Sequence, residues 1–259
     1  MKKSLKVNSL QMEGFLLQIG NVAAFTGQVL KETFSFGFEF REFMRQCYKI
    51  GNKSLPLVGI TGFIMGMVLT IQSRPALDEF GAVSMLPGMV AVSIIREIGP
   101  VITALIFAGK IGSGMGAELG SMRVSEQIDA MEVSSINPVR YLVVTRVLAC
   151  MLMLPLLVVF ADAFALAGSW IGINLKGSVS LILFISRAFG SVDFYDFFPA
   201  LVKSFVFGWV IGLTGCYKGF TVTGGTENVG VAANSAVVAA SLLVIVVDLI
   251  AVQITDIIQ

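Results

Sequence analysis

The sequence of 259 residues contains no histidine and only three cysteines, Cys47, Cys150 and Cys216. The cysteines stand alone, without the C-x-x-C spacing that is typical of a zinc site or a redox pair. These absences exclude zinc centres, haem ligation by histidine and catalytic mechanisms that need a histidine base. Each cysteine is therefore interpreted as a small hydrophobic residue of the interior.

Charge is also scarce, since Asp, Glu, Lys and Arg make up 14% of the chain while 56% is hydrophobic. The mean hydropathy of +0.86 is typical of a polytopic membrane protein. The net charge is only +1, and the basic residues are spread over segment ends, so no nucleic-acid partner is expected. No G-x-x-x-x-G-K-[ST] sequence occurs, so no ATP site and no cofactor of its own are expected.

Five apolar runs are near the roughly 17 to 25 residues that a helix needs to cross the bilayer. They cover about residues 55–71, 85–108, 142–173, 200–216 and 236–254. We therefore predict an all-α, polytopic membrane protein with five transmembrane helices in a domain covering residues 51–259. The third run is long enough to be tilted or broken, with Pro155 as the expected kink point.

The first 50 residues are amphipathic rather than spanning, because polar residues interrupt every apolar run. Phe15, Ile19, Val22 and Phe25 follow helical spacing, which predicts a helix that lies in the membrane interface. An elbow helix that only braces the bundle is the other interpretation. The alternating phenylalanines of residues 34–40 also leave a short strand open.

Most of the 18 lysines and arginines fall on one side of these five spans. The positive-inside rule then predicts a cytoplasmic N-terminus and an external C-terminus, with the polar stretch 109–146 in the cytoplasm. The first residues are followed by no compact apolar core with a cleavage site, so we expect the N-terminus to be retained.

Glycines at small-residue spacing lie in the first span and around the end of the second. Gly59, Gly62 and Gly66 are expected to let helix backbones approach closely. Packing is the first interpretation of the glycines within 112–120 as well, and flexing of the helix end is the alternative.

Arg96 and Glu97 lie inside the second run, where each ionised group would cost several kcal/mol if it faced lipid. Adjacent helical residues point about 100° apart, so the two are not an ideal facing pair and are expected to find separate partners. From position alone, a structural ion pair across helices and the polar lining of a transport cavity are equally good interpretations. For Asp162 and Asp248, we favour hydrogen-bonded packing or interface exposure.

The polar stretch 109–146 holds a large share of the charges. Val124, Ile128 and Met131 form one apolar stripe at helical spacing, and Glu126, Asp129 and Glu132 turn away from it. This pattern predicts a short surface helix with its acids outward, ended by Asn137-Pro138. Both a partner-binding helix and a solvated loop helix fit the pattern.

The same stretch resembles a known family signature. Residues 116–132, followed by Asn137-Pro138 and Arg146, are similar to the MlaE/YrbE-type permeases, the membrane subunits of lipid ABC transporters that work with MCE-domain proteins. Three further blocks agree, namely 66–69 with Gln72, 96–101 and 224–230. The resemblance covers roughly residues 50–255, and the N-terminal helix agrees in type only.

The resemblance implies a homodimeric permease of a bacterial inner membrane, with the C-terminus in the periplasm. Its partners would be a separate ATPase that binds ATP, an MCE-domain protein, a small ATPase-associated regulatory subunit, and phospholipid as cargo. A coupling segment at about 112–140 would dock onto the ATPase, and Arg96 and Glu97 would lie near the lipid cavity. The residues implied in ATPase coupling are Glu118, Arg123, Glu126, Gln127, Asp129 and Glu132.

One departure from the family pattern follows the glycine-rich block. Family members often carry arginines there, whereas this chain continues Val231-Ala-Ala-Asn234-Ser235. The head-group preference of related transporters is therefore not transferred. A membrane scaffold that anchors partner proteins is the main alternative function, and the absence of histidine weakens a third reading as an intramembrane enzyme.

Overall fold

The computed structural model describes the backbone of residues 2–35 and 37–258, and the side chains of residues 17, 19–35 and 37–257. Within these residues the chain forms eight helices and no β-strand. The helices are α1 (Lys2–Thr33), α2 (Phe40–Glu79), α3 (Val83–Val124), α4 (Gln127–Val133), α5 (Val139–Asn174), α6 (Leu181–Gly190), α7 (Phe194–Phe220) and α8 (Glu227–Ile258). The predicted all-α class is confirmed.

Five of these helices, α2, α3, α5, α7 and α8, are long and apolar enough to cross a membrane. They contain the five predicted spans, so the prediction of a multi-pass protein is confirmed. Each helix runs beyond the predicted apolar run, because hydropathy marks only the part that faces hydrocarbon and the helix continues past it. The longest extension carries α3 to Val124, well into the predicted coupling segment.

The N-terminal 50 residues comprise more than one element. Helix α1 ends at Thr33, and α2 begins at Phe40, so the first turns of α2 belong to the region predicted as interfacial. Ile19 and Val22 are exposed, whereas the ring of Phe25 packs against Tyr217 and Phe220 of α7. Helix α1 thus exposes part of its apolar stripe and braces the bundle with the rest.

The alternating phenylalanines of residues 34–40 form no strand where the structure describes them, since residues 37–39 have no regular structure and Phe40 begins α2. Phe36 and the side chain of Phe15 lie outside the described residues.

Helix α5 lies at the centre of the bundle and packs against α2, α3 and α7. It is continuous from Val139 to Asn174, so the break considered at Pro155 does not occur. The helix is irregular only at its start, where residues Val139–Val144 are π-helical before the regular α-helix begins at Thr145. Helices α7 and α8 pack against each other and against α3, so α3 joins the two halves of the bundle.

Close contact between α2 and α5 depends on glycine, as the sequence spacing predicts. A Cβ atom at Gly62 would lie 2.6 Å from the carbonyl oxygen of Ala161, and one at Gly66 would overlap the carbonyl oxygen of Ala165. Across the interface, Gly168 of α5 faces the backbone of Phe63 in the same way. The backbones therefore touch directly, as small residues allow in membrane helices.

A segment between α5 and α7 covers one end of the bundle. Helix α6 begins after Ser180, whose hydroxyl accepts a hydrogen bond from the backbone N–H of Leu183. It packs on the first turns of α3. We call this the distal end of the bundle, defined by residues 80–86 and 175–193, and we call the opposite end, defined by residues 125–138 and 221–226, the coupling end.

Candidate functional site

The predicted pair Arg96-Glu97 lies in a π-helical turn of α3, Ile94–Ile98. Pro100 explains the turn, because it has no N–H to donate to the carbonyl of Arg96 four residues earlier and its ring crowds that carbonyl. The N–H of Gly99 instead donates to the carbonyl of Ile94, five residues back. Such turns widen a helix locally and often occur at functional sites.

Arg96 and Glu97 bind different helices, as the 100° rotation between neighbours predicts. The Nη2 atom of Arg96 lies 3.2 Å from Asp256 of α8, and its Nη1 atom lies 3.8 Å from Asp196 of α7. Glu97 accepts a hydrogen bond of 2.7 Å from the ammonium of Lys203. The pair therefore links α3 to both α7 and α8.

Lys203 is the central group of this cluster. Its side chain is only 7% exposed, and its ammonium also donates to Asp248 of α8 at 3.0 Å. Two carboxylates from two different helices thus share one buried cation. A buried ammonium needs this kind of compensation, because its desolvation costs several kcal/mol.

We call this cluster the distal charge network, since it lies in the halves of the helices nearer the distal end. It contains two cations and four carboxylates, namely Arg96, Lys203, Glu97, Asp196, Asp248 and Asp256. A small crevice borders it, lined by Arg96, Glu97, Tyr195 and Lys203 among others. The side chains of Arg96 and Asp256 are 37% and 58% exposed, so the network opens to the surroundings on one side.

Sequence reasoning identified Arg96 and Glu97 but missed their partners. In the sequence, Lys203 is only one of the 18 lysines and arginines that decide orientation, and Asp248 is interpreted as hydrogen-bonded packing or interface exposure. The available signal was a lysine a few residues inside the fourth run and an aspartate inside the fifth, since ionisable groups in spans need partners. Asp248 does form a hydrogen bond, a partly buried one from Lys203.

Asp162 of α5 stands apart from this network. The residue is 7% exposed, and its Oδ1 atom has no hydrogen-bond partner in the described part of the chain. A Cβ atom at Gly99 would overlap that oxygen, so the carboxyl lies directly against the π-helical turn of α3. Neither hydrogen bonding of this oxygen nor interface exposure, the two roles favoured from sequence, is present.

At the coupling end, α3 ends at Val124 and the chain reverses through Glu126, which has a left-handed backbone with φ of 59°. The predicted stripe of Val124, Ile128 and Met131 is therefore divided between two helices, and the prediction of one helix is wrong in this detail. Ile128 anchors the short α4, since it is fully buried.

The residues implied in ATPase coupling fall into two groups. Glu126, Gln127, Asp129 and Glu132 are exposed on and beside α4, and Arg123 pairs with Asp129. Glu118, whose side chain is 40% exposed, instead lies between helices, where it accepts bonds from Lys49 at 2.9 Å and from the buried Arg146 at 3.1 Å. The first group forms the exposed surface of α4, whereas Glu118 links α3 to α2 and α5.

Comparison with known proteins gives a consistent result. The family model described as Permease MlaE matches residues 43–254. A probable ABC transporter permease protein of Synechocystis is 37% identical over 227 residues, which cover 87% of this chain and 86% of that protein. A probable ABC transporter permease protein of Rickettsia typhi is 36% identical over 203 residues, or 78% of each chain.

A plant protein is also similar. Protein TRIGALACTOSYLDIACYLGLYCEROL 1, chloroplastic, of Arabidopsis thaliana is 33% identical over 230 residues, which cover 89% of this chain and 66% of the plant protein. The matched residues of the family model include all five spanning helices over most of their length.

Proposed function

The chain belongs to the MlaE permease family and is a multi-pass permease subunit of an ABC transporter, and we propose that the cargo of this transporter is a phospholipid. In this proposal two copies form a homodimer in a bacterial inner membrane, and a separate ATPase subunit binds the ATP. An MCE-domain protein exchanges lipid with the dimer, and a small regulatory subunit associates with the ATPase. The N-terminus is cytoplasmic and the C-terminus periplasmic.

The distal charge network is the observation that carries this proposal. A phospholipid combines a charged head group with apolar tails, and the network offers both signs of charge within the span of the bilayer. Its ion pairs connect three helices, so a head group that replaces one partner changes how those helices are held. This favours the cavity interpretation of Arg96 and Glu97 over a purely structural one.

The apolar surroundings suit lipid tails. Helix α8 leaves large aliphatic side chains exposed beside Asp248, among them Leu242, Ile245 and Leu249. Only 17% of the residues in the most apolar part of α8 are buried within one copy. Lipid or a second copy is therefore expected to cover the exposed remainder. One curated relative carries the name of a diacylglycerol glycolipid, which supports a lipid cargo.

Helix α3 supplies the mechanical connection between the two ends. It carries Arg96 and Glu97 in the bilayer and ends at Val124, directly before α4. At 1.5 Å per residue, Glu97 and Val124 are separated by about 40 Å along one helix. We infer that an ATPase that moves α4 shifts α3 and thereby rearranges the ion pairs around Lys203.

A photo-crosslinking experiment tests the cargo site. The chain, purified with its ATPase partner, is reconstituted with a phospholipid that carries a diazirine in its head group, and the labelled peptides are identified by mass spectrometry. We expect label near the network, around Tyr195 and Pro199, which line its crevice. Arg96→Gln is expected to reduce this label about tenfold, by removal of one charge-assisted contact.

The matched control is Arg187→Gln, which removes a partly exposed arginine from α6 at the same end of the bundle. It should leave the labelling unchanged. Equal labelling of the wild type, the Arg96 variant and the control would overturn the assignment of this network to the lipid path and would favour the scaffold alternative.

A further inference from the structure

A second charged crevice lies at the coupling end, between α2 and α3 and backed by α5. It has a volume of about 260 Å³ and is lined by four cations, Lys49, Lys53, Lys110 and Arg146, with Glu118 as its one carboxylate. At about 30 Å³ per water molecule, it has room for a group several times larger than water. Its charge is therefore strongly unbalanced, in contrast to the distal charge network.

The single carboxylate is already engaged. Glu118 binds Lys49 through Oε2 and Arg146 through Oε1. Within the described part of the chain, no carboxylate lies within ion-pair distance of Lys53 or Lys110. Two ammonium groups thus lack a counter-charge beside a crevice that already holds a third and fourth cation.

The side chain of Lys110 also reaches across to α2. The ammonium of Lys110 donates to the backbone carbonyl of Lys53 on the neighbouring helix, which holds it against α2. An isolated lysine at a span end would be expected to extend away into water. The cations that line this one crevice repel each other unless an anion lies between them.

Arg146 provides an independent indication of a ligand. Its side chain is only 3% exposed, and its Nε atom is buried with no hydrogen-bond partner among the residues that the structure describes. A buried guanidinium with an unused N–H is costly, and an oxygen atom of an anion in the crevice would satisfy it. Guanidinium and ammonium groups together are typical of phosphate recognition.

The position of the crevice at the bilayer boundary indicates whether a bound phosphate group would come from a lipid or from free phosphate. Lys53 lies two residues before the first predicted apolar run, and Lys110 lies two residues after the second, so both are at the bilayer boundary. From Lys53 towards the C-terminal end of α2, exposed aliphatic side chains continue on the same face of the helix at helical spacing. They are Leu57, Ile60, Ile64, Val68 and Ile71. A free phosphate would make no use of this apolar track, whereas an acyl chain would cover it.

We propose that this crevice binds the phosphate of an anionic phospholipid, with the acyl chains along the exposed face of α2. This lipid is a fixed ligand at the coupling end and not the cargo, and the proposal holds whatever the transporter carries. Basic pockets between membrane helices commonly hold anionic head groups in this way. The bound lipid would join α2 to α3 next to the contact of α3 with α4.

Native mass spectrometry of the full-length chain in detergent tests the proposal, with phosphatidylglycerol, phosphatidylcholine and inorganic phosphate as probes. Wild type should retain phosphatidylglycerol in preference to phosphatidylcholine. Lys53→Gln with Lys110→Gln should weaken retention about thirtyfold, from the electrostatic contribution of two lysines near a membrane surface. Lys53→Arg with Lys110→Arg keeps the charge and should keep the lipid.

The matched control is Lys31→Gln with Lys218→Gln, which removes the same charge near the coupling end but outside the crevice. Unchanged retention in this control supports a defined site, whereas an equal loss in both double variants would overturn it in favour of general surface attraction. Arg96→Gln should also leave this lipid in place, because it alters only the distal charge network. Retention of inorganic phosphate with no preference for phosphatidylglycerol would contradict a lipid ligand.

Discussion

The two ends of the bundle use charge in opposite ways. In the distal charge network, each cation contacts two carboxylates from other helices, and Lys203 is buried between them. At the coupling end the charges are unbalanced, since exposed acids lie on and beside α4 and four cations share the crevice with the single carboxylate of Glu118. In the distal charge network a ligand has to replace an existing partner, whereas the surplus cations of the crevice can bind an anion without breaking an ion pair.

The largest loss of stability is expected from Lys203→Met. It leaves Glu97 and Asp248 in a partly buried site without their shared cation, and breaking a buried pair costs about 3–5 kcal/mol. Thermal unfolding of the purified chain in detergent measures the effect. Adding Glu97→Gln and Asp248→Asn to the same variant should restore much of the lost stability, and no restoration would show that Lys203 acts by packing alone.

An intermediate loss is expected from Glu118→Gln. The change removes the carboxylate that binds the buried Arg146, and an imperfectly satisfied buried group costs about 1–3 kcal/mol. The same unfolding measurement applies. Glu79→Gln, at an exposed position of the distal end, is the control and should have no effect. Equal stability of the two variants would contradict a structural role for the contact of Glu118 with Arg146.

A small effect is expected from Arg123→Gln, which breaks the pair with Asp129. Both side chains are substantially exposed, at 37% and 51%, so the pair contributes less than about 1 kcal/mol. The difference from wild type should be smaller at high salt than at low salt, because salt screens an exposed ion pair. A loss as large as that of Glu118→Gln would place this pair in the interior of the bundle.

The smallest change in stability, but a large change in coupling, is expected from Glu126→Lys with Glu132→Lys. Both side chains are exposed, so the free energy of unfolding should change by less than about 0.5 kcal/mol. ATP hydrolysis by the co-purified ATPase should lose its response to lipid if the acids of α4 bind that partner. Glu79→Lys is the control, and coupling that is unchanged in the α4 variant would contradict the docking role.

Much of the architecture is predictable from the sequence. Hydropathy measures the free energy of moving side chains from water to hydrocarbon, and the same free energy decides which five segments span the membrane. The close approach of α2 to a neighbouring helix is also predictable, because Gly62 and Gly66 have no Cβ atom to hold another backbone away. The separate partners of Arg96 and Glu97 follow from helix geometry alone.

The identity of those partners is not predictable from one sequence. Lys203, Asp196 and Asp256 are far from Arg96 along the chain, and only helix packing brings them together. The same limit applies to Glu118, whose contacts with Lys49 of α2 and Arg146 of α5 depend on helix packing. The division of α3 from α4 depends on a left-handed backbone at Glu126, a conformation that glutamate rarely adopts.

ATP-driven transfer of a fluorescent phospholipid in proteoliposomes tests the central claim most directly. Arg96→Gln with Glu97→Gln removes one cation and one anion together and leaves Lys203 bound to Asp248, so folding should persist. We predict a loss of transfer of at least about tenfold, with Arg187→Gln and Glu79→Gln as the matched double control. Undiminished transfer by the Arg96 and Glu97 variant would contradict a role for the distal charge network in lipid transport.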